Sequence, residues 1–417
     1  MTKTKFDVVV FGATSFVGQI LCRYLVQEFG TAAKPAAALA KRSLIWAIAG
    51  RSRTKLESLV ADLGAGAIPI IEADAADEVA LNALCVGTRV VVSTVGPYAL
   101  YGETLVRVCA QTGTDYCDLT GEPAWVRRMI AQYADEAAKS GARIINCCGF
   151  DSIPSDLGVW FLQQQSLLHY GEPCVNVKMG VKAMRGAASG GTVASMVNAV
   201  KEATQSKELR RELVNPYSLC MMDAKPTIRQ TNIKSPVFDA DFNAWAAPFV
   251  MAAINVRIVL RSNALSGFAY TEKFKYHEAM LMGAGFKGRF KATALFAGLG
   301  GFVTAAAIPA SRWFMEKFIL PAPGEGPSPA AQEKGFYDFR FIGHTADGRD
   351  LKIKVTGDRD PGYGSTAKIL GEAATCLALD VPKTKLGGGF WTPSHALGQP
   401  LLDRLVRHAG LTFEVLK

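Results

Sequence analysis

Histidine and paired cysteine are scarce in this chain, and their scarcity removes whole classes of chemistry. The five histidines (His169, His277, His344, His395, His408) are far apart with no metal-ligand spacing, so no metal site is expected. The nine cysteines are an odd number and contain no Cys-x-x-Cys. Cys147 and Cys148 adjoin in an apolar run, where they read as buried free thiols. That usage fits a reducing, cytoplasmic compartment. The N-terminus runs straight into an apolar strand pattern, which leaves no room for a cleaved signal peptide. Acidic residues are outnumbered, 37 Asp and Glu against 46 Lys and Arg, for a formal net charge of +9. The basic residues are scattered and match no nucleic-acid-binding module, so nucleic acid is not expected as a partner. A polyanionic ligand or an anionic membrane surface suits the charge, and so does a merely soluble surface. With 49% hydrophobic and 20% charged residues among 417, the chain can build the cores of two domains.

The opening stretch organises what is present. A short apolar run at 8–11 is followed at once by Gly12, Ala13, Thr14, Ser15, Phe16, Val17 and Gly18. Helically spaced apolar residues then continue through Ile20, Leu21, Tyr24 and Leu25. This is a strand, a tight turn and a helix, the arrangement that brings backbone N–H groups against a dinucleotide pyrophosphate. Gly12 makes the turn and Gly18 lets the helix approach the strand, while Ser15 stands where a middle glycine is expected, a small hydroxyl able to donate to a phosphate. Further strand–helix alternation through residue 148 predicts a doubly wound parallel sheet.

The second strand, 44–49, ends without the acidic residue that binds a ribose 2′-hydroxyl in NAD-preferring folds. Gly50, Arg51, Ser52 and, one turn on, Lys55 stand there instead. A guanidinium beside a hydroxyl matches a 2′-phosphate, which predicts NADP(H); the plainer alternative is a solvated strand-end arginine. Asp74, after the third strand, reads with Asp77 as a helix cap or as a neighbour of the adenine. The fourth strand, 89–95, brings Thr94, Val95, Gly96 and Pro97 to the cofactor. Tyr98 follows as a candidate proton donor or as a packing residue, with Tyr101 beside it. The sixth strand empties into Gly149-Phe-Asp-Ser-Ile-Pro-Ser-Asp156. There Asp151 is the second candidate donor, and Ser155 or Asp156 reads as the cap of the next helix.

Beyond this point the pattern shifts to locally paired strands at 175–182, 256–261 and 274–282, with a hairpin across Asp347-Gly348. Residues 215–249 read as loops, and Ser189-Gly-Gly-Thr192 as an anion-holding helix start or a joint. Residues 292–311 carry no charge and are flanked by Lys287, Arg289, Lys291 and Arg312. They read as a buried or interfacial helix pair, with a membrane span as the alternative. An amphipathic piece with Trp313, Phe314 and Phe318 follows, suited to a membrane surface or a lipid-binding mouth. The expected organisation is a dinucleotide-binding domain at 1–152, an inserted α+β substrate domain at 153–357 with a mostly antiparallel sheet, and C-terminal helices at 358–417 returning to the first domain.

Taken together, Phe11-Gly-Ala-Thr-Ser-Phe-Val-Gly18, Ala49-Gly-Arg-Ser52, Val95-Gly-Pro-Tyr98 and Tyr116-Cys-Asp-Leu-Thr-Gly-Glu122 resemble the saccharopine dehydrogenase-like oxidoreductases. So do Cys148-Gly-Phe-Asp-Ser-Ile-Pro-Ser-Asp156, Ser189-Gly-Gly-Thr192 and Asp360-Pro-Gly-Tyr363. Within that family the chain is most similar to the mycobacterial trans-acting enoyl reductases, which act on a polyketide chain in phthiocerol and phenolphthiocerol lipid synthesis. The resemblance implies a Rossmann domain split by an insertion, NADPH as hydride donor, and a lipid-like or acyl thioester substrate on a carrier protein. Two other readings stand beside it: reduction or oxidation of a C=N or C=O bond in a small amino-acid-like substrate, and a non-catalytic NADPH-binding protein at a membrane.

Overall fold

The computed structural model describes residues 4–31, 44–64, 66–186, 190–221, 228–320 and 326–417. The Ala-rich stretch 28–43 with Pro35 reads from sequence as a loop or an extension of the first helix, and 321–329 as a proline-rich linker; of these, 32–43 and 321–325 lie outside the described residues, as does Ser189. The chain divides into two compact units. The first comprises Met1–Thr120, Trp125–Asp151 and Gly362–Gly410; the second comprises Gly121–Ala124, Ser152–Pro361 and Leu411–Lys417.

In the first unit, β1 (Phe6–Phe11), β2 (Trp46–Gly50), β3 (Ile70–Glu72), β4 (Thr88–Ser93), β5 (Asp115–Asp118) and β6 (Arg143–Ile145) pair in parallel in the order β6-β5-β4-β1-β2-β3. The Val-rich runs of β1 and β4 are buried because helices cover both faces of such a sheet. Strand order reverses between β1 and β4, where Phe11 lies opposite Ser93. A crevice at the carboxyl ends of the strands is the ligand position of this topology.

In the second unit, β7 (Cys174–Arg185), β8 (Val237–Asp239), β9 (Ala244–Pro248), β10 (Lys275–Leu281), β11 (Phe336–Thr345) and β12 (Asp350–Gly357) form a sheet in the order β12-β11-β7-β10-β9-β8. Among the described residues of this sheet, only β7 and β10 pair in parallel. The hairpin β11–β12 turns at Gly348, whose φ of 88° suits glycine. Two sequence expectations are corrected here. Residues 256–261, expected as a strand, belong to the helix Ala252–Leu265, whose burial on nearly all sides erases helical periodicity. The expected loops of 215–249 contain β8 and β9, too short to show alternation.

The tail is not all helical as expected. Between the helices Thr366–Leu379 and Pro393–Arg404, β13 (Gly389–Trp391) pairs in parallel with β6, and after them β14 (Leu411–Leu416) pairs with β12. A buried ion pair fastens this return to the first sheet. Arg143, 2% exposed, binds the Asp115 carboxylate through Nε at 3.1 Å and Nη2 at 2.5 Å. Its guanidinium also donates to the carbonyls of Leu377 at 3.0 Å and Val381 at 2.5 Å. Replacing Arg143 with methionine leaves the buried Asp115 carboxylate with only the half-exposed Lys383 ammonium, 3.4 Å from Oδ1, as an ionic partner. Urea unfolding followed by circular dichroism is expected to show a loss of about 3–5 kcal/mol; an unchanged midpoint would remove the pair from this role.

Candidate functional site

The first turn of the parallel sheet is built by close approach. Gly12 has φ 83°, and a Cβ there would lie 2.5 Å from Val95 Cγ2 and 2.9 Å from Thr94 Oγ1. A Cβ on Gly18 would lie 2.3 Å from the Gly12 carbonyl oxygen, so the helix Phe16–Phe29 sits directly on the turn. Ser15 is the N-cap of that helix with an ordinary φ of −68°, so its position does not demand glycine. Thr94 Oγ1 donates to the Gly12 carbonyl at 2.9 Å, which leaves Ser15 Oγ to donate to Thr94 at 2.9 Å while accepting from Gly18 N at 3.0 Å. Ser15 thus has a hydroxyl partner within the protein and stays partly exposed at the turn. Ala13 is buried, and Thr14, Phe16 and Val17 are partly exposed. Among the described residues, the backbone N–H groups of Phe16 and Val17 meet no protein acceptor. They form the electropositive end of a helix, as a pyrophosphate needs.

At the end of β2, Gly50 is buried and Arg51 is exposed. Ser52 caps the helix Arg53–Leu63, accepting from Lys55 N at 3.5 Å. Arg53 is committed to Glu57 at 2.9 Å, whereas Arg51 makes no hydrogen bond or ion pair among the described residues. Lys55 is exposed one turn into that helix. Asp74 closes a local turn by accepting from Ala76 N at 2.9 Å, and the cap of the following helix is Asp77 alone. At the end of β4, Val95, Gly96 and Pro97 lead into a short helical turn, Tyr98–Tyr101.

Tyr98 does not stand at a mouth, which corrects its reading as a proton donor. It is 4% exposed, its ring packs 5.3 Å from that of Trp125, and its hydroxyl donates to the Ser93 carbonyl at 2.9 Å. That proton closes the end of β4, while Tyr101 is exposed.

The other carboxyl groups at the strand ends behave differently. Asp118, the fully buried last residue of β5, accepts from Cys147 N at 2.9 Å and Thr120 N at 3.1 Å through Oδ1, and from Asn146 Nδ2 at 2.7 Å through Oδ2. Burial pushes its carboxyl up to about 6 despite these three donors. Asp151 follows in the loop after β6 and keeps part of its surface accessible. Burial, reinforced by the negative charge of Asp118, pushes it up to about 7. Gly149 lies beneath it: a Cβ there would be 3.5 Å from Asp151 Oδ2 and 3.2 Å from Leu119 Cβ. No other side chain hydrogen-bonds to Asp151 among the described residues. Asp118 was not singled out from sequence as a site residue; the available signal was an acidic residue closing an otherwise apolar strand.

Residues 8–145 match the saccharopine dehydrogenase NADP-binding domain. A Mycobacterium tuberculosis relative is 38% identical over 433 residues, covering 100% of this chain and 99% of its own. The trans-acting enoyl reductase of Mycobacterium bovis is 37% identical over 418 residues, 96% of each chain. The chain belongs to the saccharopine dehydrogenase-like family. It is an NADP-dependent oxidoreductase related over its whole length to the trans-acting enoyl reductases. Its fold is that of saccharopine dehydrogenase from Saccharomyces cerevisiae, with a TM-score of 0.51 at 14% identity over 98% of this chain and 99% of the other.

The second unit of this oxidoreductase holds a buried polar network where helix caps were expected. Ser152, not Ser155 or Asp156, is the N-cap of the helix Ile153–Tyr170. Asn255 Nδ2 donates to Ser155 Oγ at 3.1 Å and to Glu278 at 3.0 Å, and Tyr276 donates to Glu278 at 2.7 Å. Asp156 accepts from Ser262 at 2.6 Å. Gly190–Gln205 is a helix, as expected.

The turn of the first unit fits a dinucleotide, since the two positions that close tightly, Gly12 on Val95 and Thr94 and Gly18 on the Gly12 carbonyl, carry no Cβ. Substituting Gly18 with alanine forces the helix off Gly12. NADPH affinity measured by calorimetry is expected to fall by about tenfold or more, with about 1–3 kcal/mol of stability lost to overpacking. Unchanged affinity would show that the turn does not hold the cofactor.

Proposed function

We propose that this oxidoreductase reduces the carbon–carbon double bond of an enoyl thioester on a lipid-like acyl chain presented by a carrier protein, in the cytoplasm. The observation that carries the reading is the end-to-end 37% identity to trans-acting enoyl reductases. When bound at this turn, NADPH would supply a hydride for the β-carbon of the double bond.

The chain's own residues position the cofactor and manage the proton. Gly12, Ala13 and Thr14 make the turn, and the N–H groups of Phe16 and Val17 face the pyrophosphate. Gly50, Arg51, Ser52 and Lys55 take the 2′-phosphate, with Arg51 making no ion pair among the described residues. Asp74 stands on the adenine side. Thr94, Val95, Gly96 and Pro97 support the nicotinamide end. Asp151, half protonated near neutral pH, delivers the proton to the α-carbon. Asp118 is a positioning residue that holds the ends of β5 and β6 and keeps Asp151 protonated to higher pH. The second unit takes the acyl chain.

Calorimetric titration with NADPH and NADH tests the cofactor assignment. Arg51→Ala is expected to weaken NADPH by about 10- to 100-fold, the equivalent of a charge-assisted bond, and to leave NADH unchanged. Equal loss for both cofactors would sink the 2′-phosphate assignment.

The donor assignment is tested by kinetics on an enoyl thioester. A general acid must be protonated, so kcat should hold below about pH 7 and fall as pH rises above it. Asp151→Asn is expected to lower kcat by about 10²–10⁴-fold and abolish that limb without changing NADPH affinity. Tyr98→Phe should retain turnover. A mutant Asp151→Asn with wild-type kcat would overturn the assignment.

A further inference from the structure

The second unit exposes an apolar surface that its own packing leaves uncovered. The helix Gly285–Ala307 is 23 residues long, and its most apolar window has a mean hydropathy of 1.4 with only 11% buried in the protein. At about 1.5 Å per residue it is roughly as long as a bilayer core is thick. Phe286 is 83% exposed and Phe290 68%. On the following helix, Pro309–Phe318, Trp313 and Phe318 are 57% and 61% exposed.

Charge is arranged around this surface in one sign. Lys287, Arg289 and Lys291 occupy the first two turns, Arg312 and Lys317 lie on the second helix, and residues 292–311 carry no charge. Glu316 is the single acidic residue from 285 to 320. Lys317 Nζ sits 5.0 Å over the Trp313 ring and 5.4 Å over that of Phe318, so cation and aromatic are presented together. Basic residues beside aromatics, bordering an uncharged apolar stretch, are complementary to an anionic headgroup layer over hydrocarbon.

Both ends of the long helix are fastened to the same folded unit. At its start Arg289 lies 5.4 Å over Trp245 of β9, and Gly288 has no space for a Cβ against the Gly283 carbonyl. At its end Ala306 packs with Val197 and Met315, supported by Phe302 and Ala305. Ser311 Oγ donates to the Ala305 carbonyl at 2.6 Å and ties the two helices at their junction. A helix held at both ends by one unit, and rich in Ala and Gly, is suited to lie in the interface plane and not to cross.

We infer that the helices Gly285–Ala307 and Pro309–Phe318 form a docking surface for an anionic lipid bilayer, entered by the exposed aromatic side chains and steered by the flanking lysines and arginines. The inference is independent of the reaction, since the surface belongs to the second unit and uses none of the cofactor residues.

Flotation of the full chain with phosphatidylcholine vesicles, with and without phosphatidylglycerol, tests it. The protein is expected to float with the anionic vesicles, and to be released as salt rises, because exposed charges are screened. Trp313→Ser combined with Phe318→Ser should reduce the bound fraction by about tenfold while NADPH affinity is retained. Lys287→Gln with Lys291→Gln should weaken binding to anionic vesicles selectively. Failure to float with either vesicle, or equal binding to both, would overturn the inference. So would light scattering that shows a dimer converted to monomer by the Trp313 and Phe318 substitutions, since a second copy would then be the occupant.

Discussion

The buried pair of Arg143 and Asp115 is the constraint on which the first unit depends. A sheet that loses its chain at Asp151 and regains it at Gly362 must recover its edge from a distant segment. Arg143 does this by reaching from β6 to Asp115 on β5 and to two carbonyls at the end of the helix Thr366–Leu379. The Leu377 carbonyl is an orphan acceptor of the helix C-terminus and that of Val381 lies just beyond it; a guanidinium can satisfy both while its charge is neutralised by the carboxylate. With the tail in place, β13 covers β6 and becomes the edge of the sheet, where a strand of 3 residues keeps that edge short. A second buried acid repeats the device: Glu372, on the same helix, accepts from Tyr24 at 2.6 Å and from Arg404 at 2.9 Å.

The strand ends that this frame aligns are finished by side chains of opposite character. Around β1 and β4 the partners are hydroxyls: Thr94 and Ser15 form a short chain that ends on the Gly12 carbonyl and begins the helix. Nothing there is ionised, so the turn remains receptive to phosphate. Around β5 and β6 the partner is a carboxylate, and Asp118 gathers two backbone donors and an amide. Cys147 takes a φ of 62°, unusual for a residue with a side chain, where it donates to Asp118. The same desolvation that raises Asp118 raises Asp151, and the negative charge of one holds the proton on the other.

Much of this was legible in the sequence because it rests on local backbone demands. Gly12 and Gly18 announce a turn with no space for side chains, Arg51 replaces an acid at a strand end, and the Val-rich runs name the parallel sheet. The hairpin around Gly348 was likewise visible. What could not be read depended on partners far away in sequence. Tyr98 looks like a loop tyrosine until the Ser93 carbonyl and the Trp125 ring are placed around it. Ser155 and Asp156 look like caps until Asn255 and Ser262 meet them inside the second unit. The helix Ala252–Leu265 buries polar as well as apolar residues, including Asn255 and Arg257, so its pattern mimics neither a surface helix nor a clean strand.

The ionisation of the buried acids runs against stability. Asp118 and Asp151 in the first unit, and Glu278 in the second, are raised to about 6 or 7, above the values near 4 that they hold when solvated. Between those limits the folded chain binds more protons than the unfolded chain, so this part of its stability is present at low pH and is lost as pH rises through the folded values. Glu278 is compensated by Asn255 and Tyr276, which makes its burial structural. Asp118 is compensated by three donors and organises two strand ends. Among the described residues Asp151 has no such compensation from another side chain, and it retains accessible surface where Asp118 has none. The proposed function assigns the proton transfer to this acid, whose burial no neighbouring side chain offsets among the described residues.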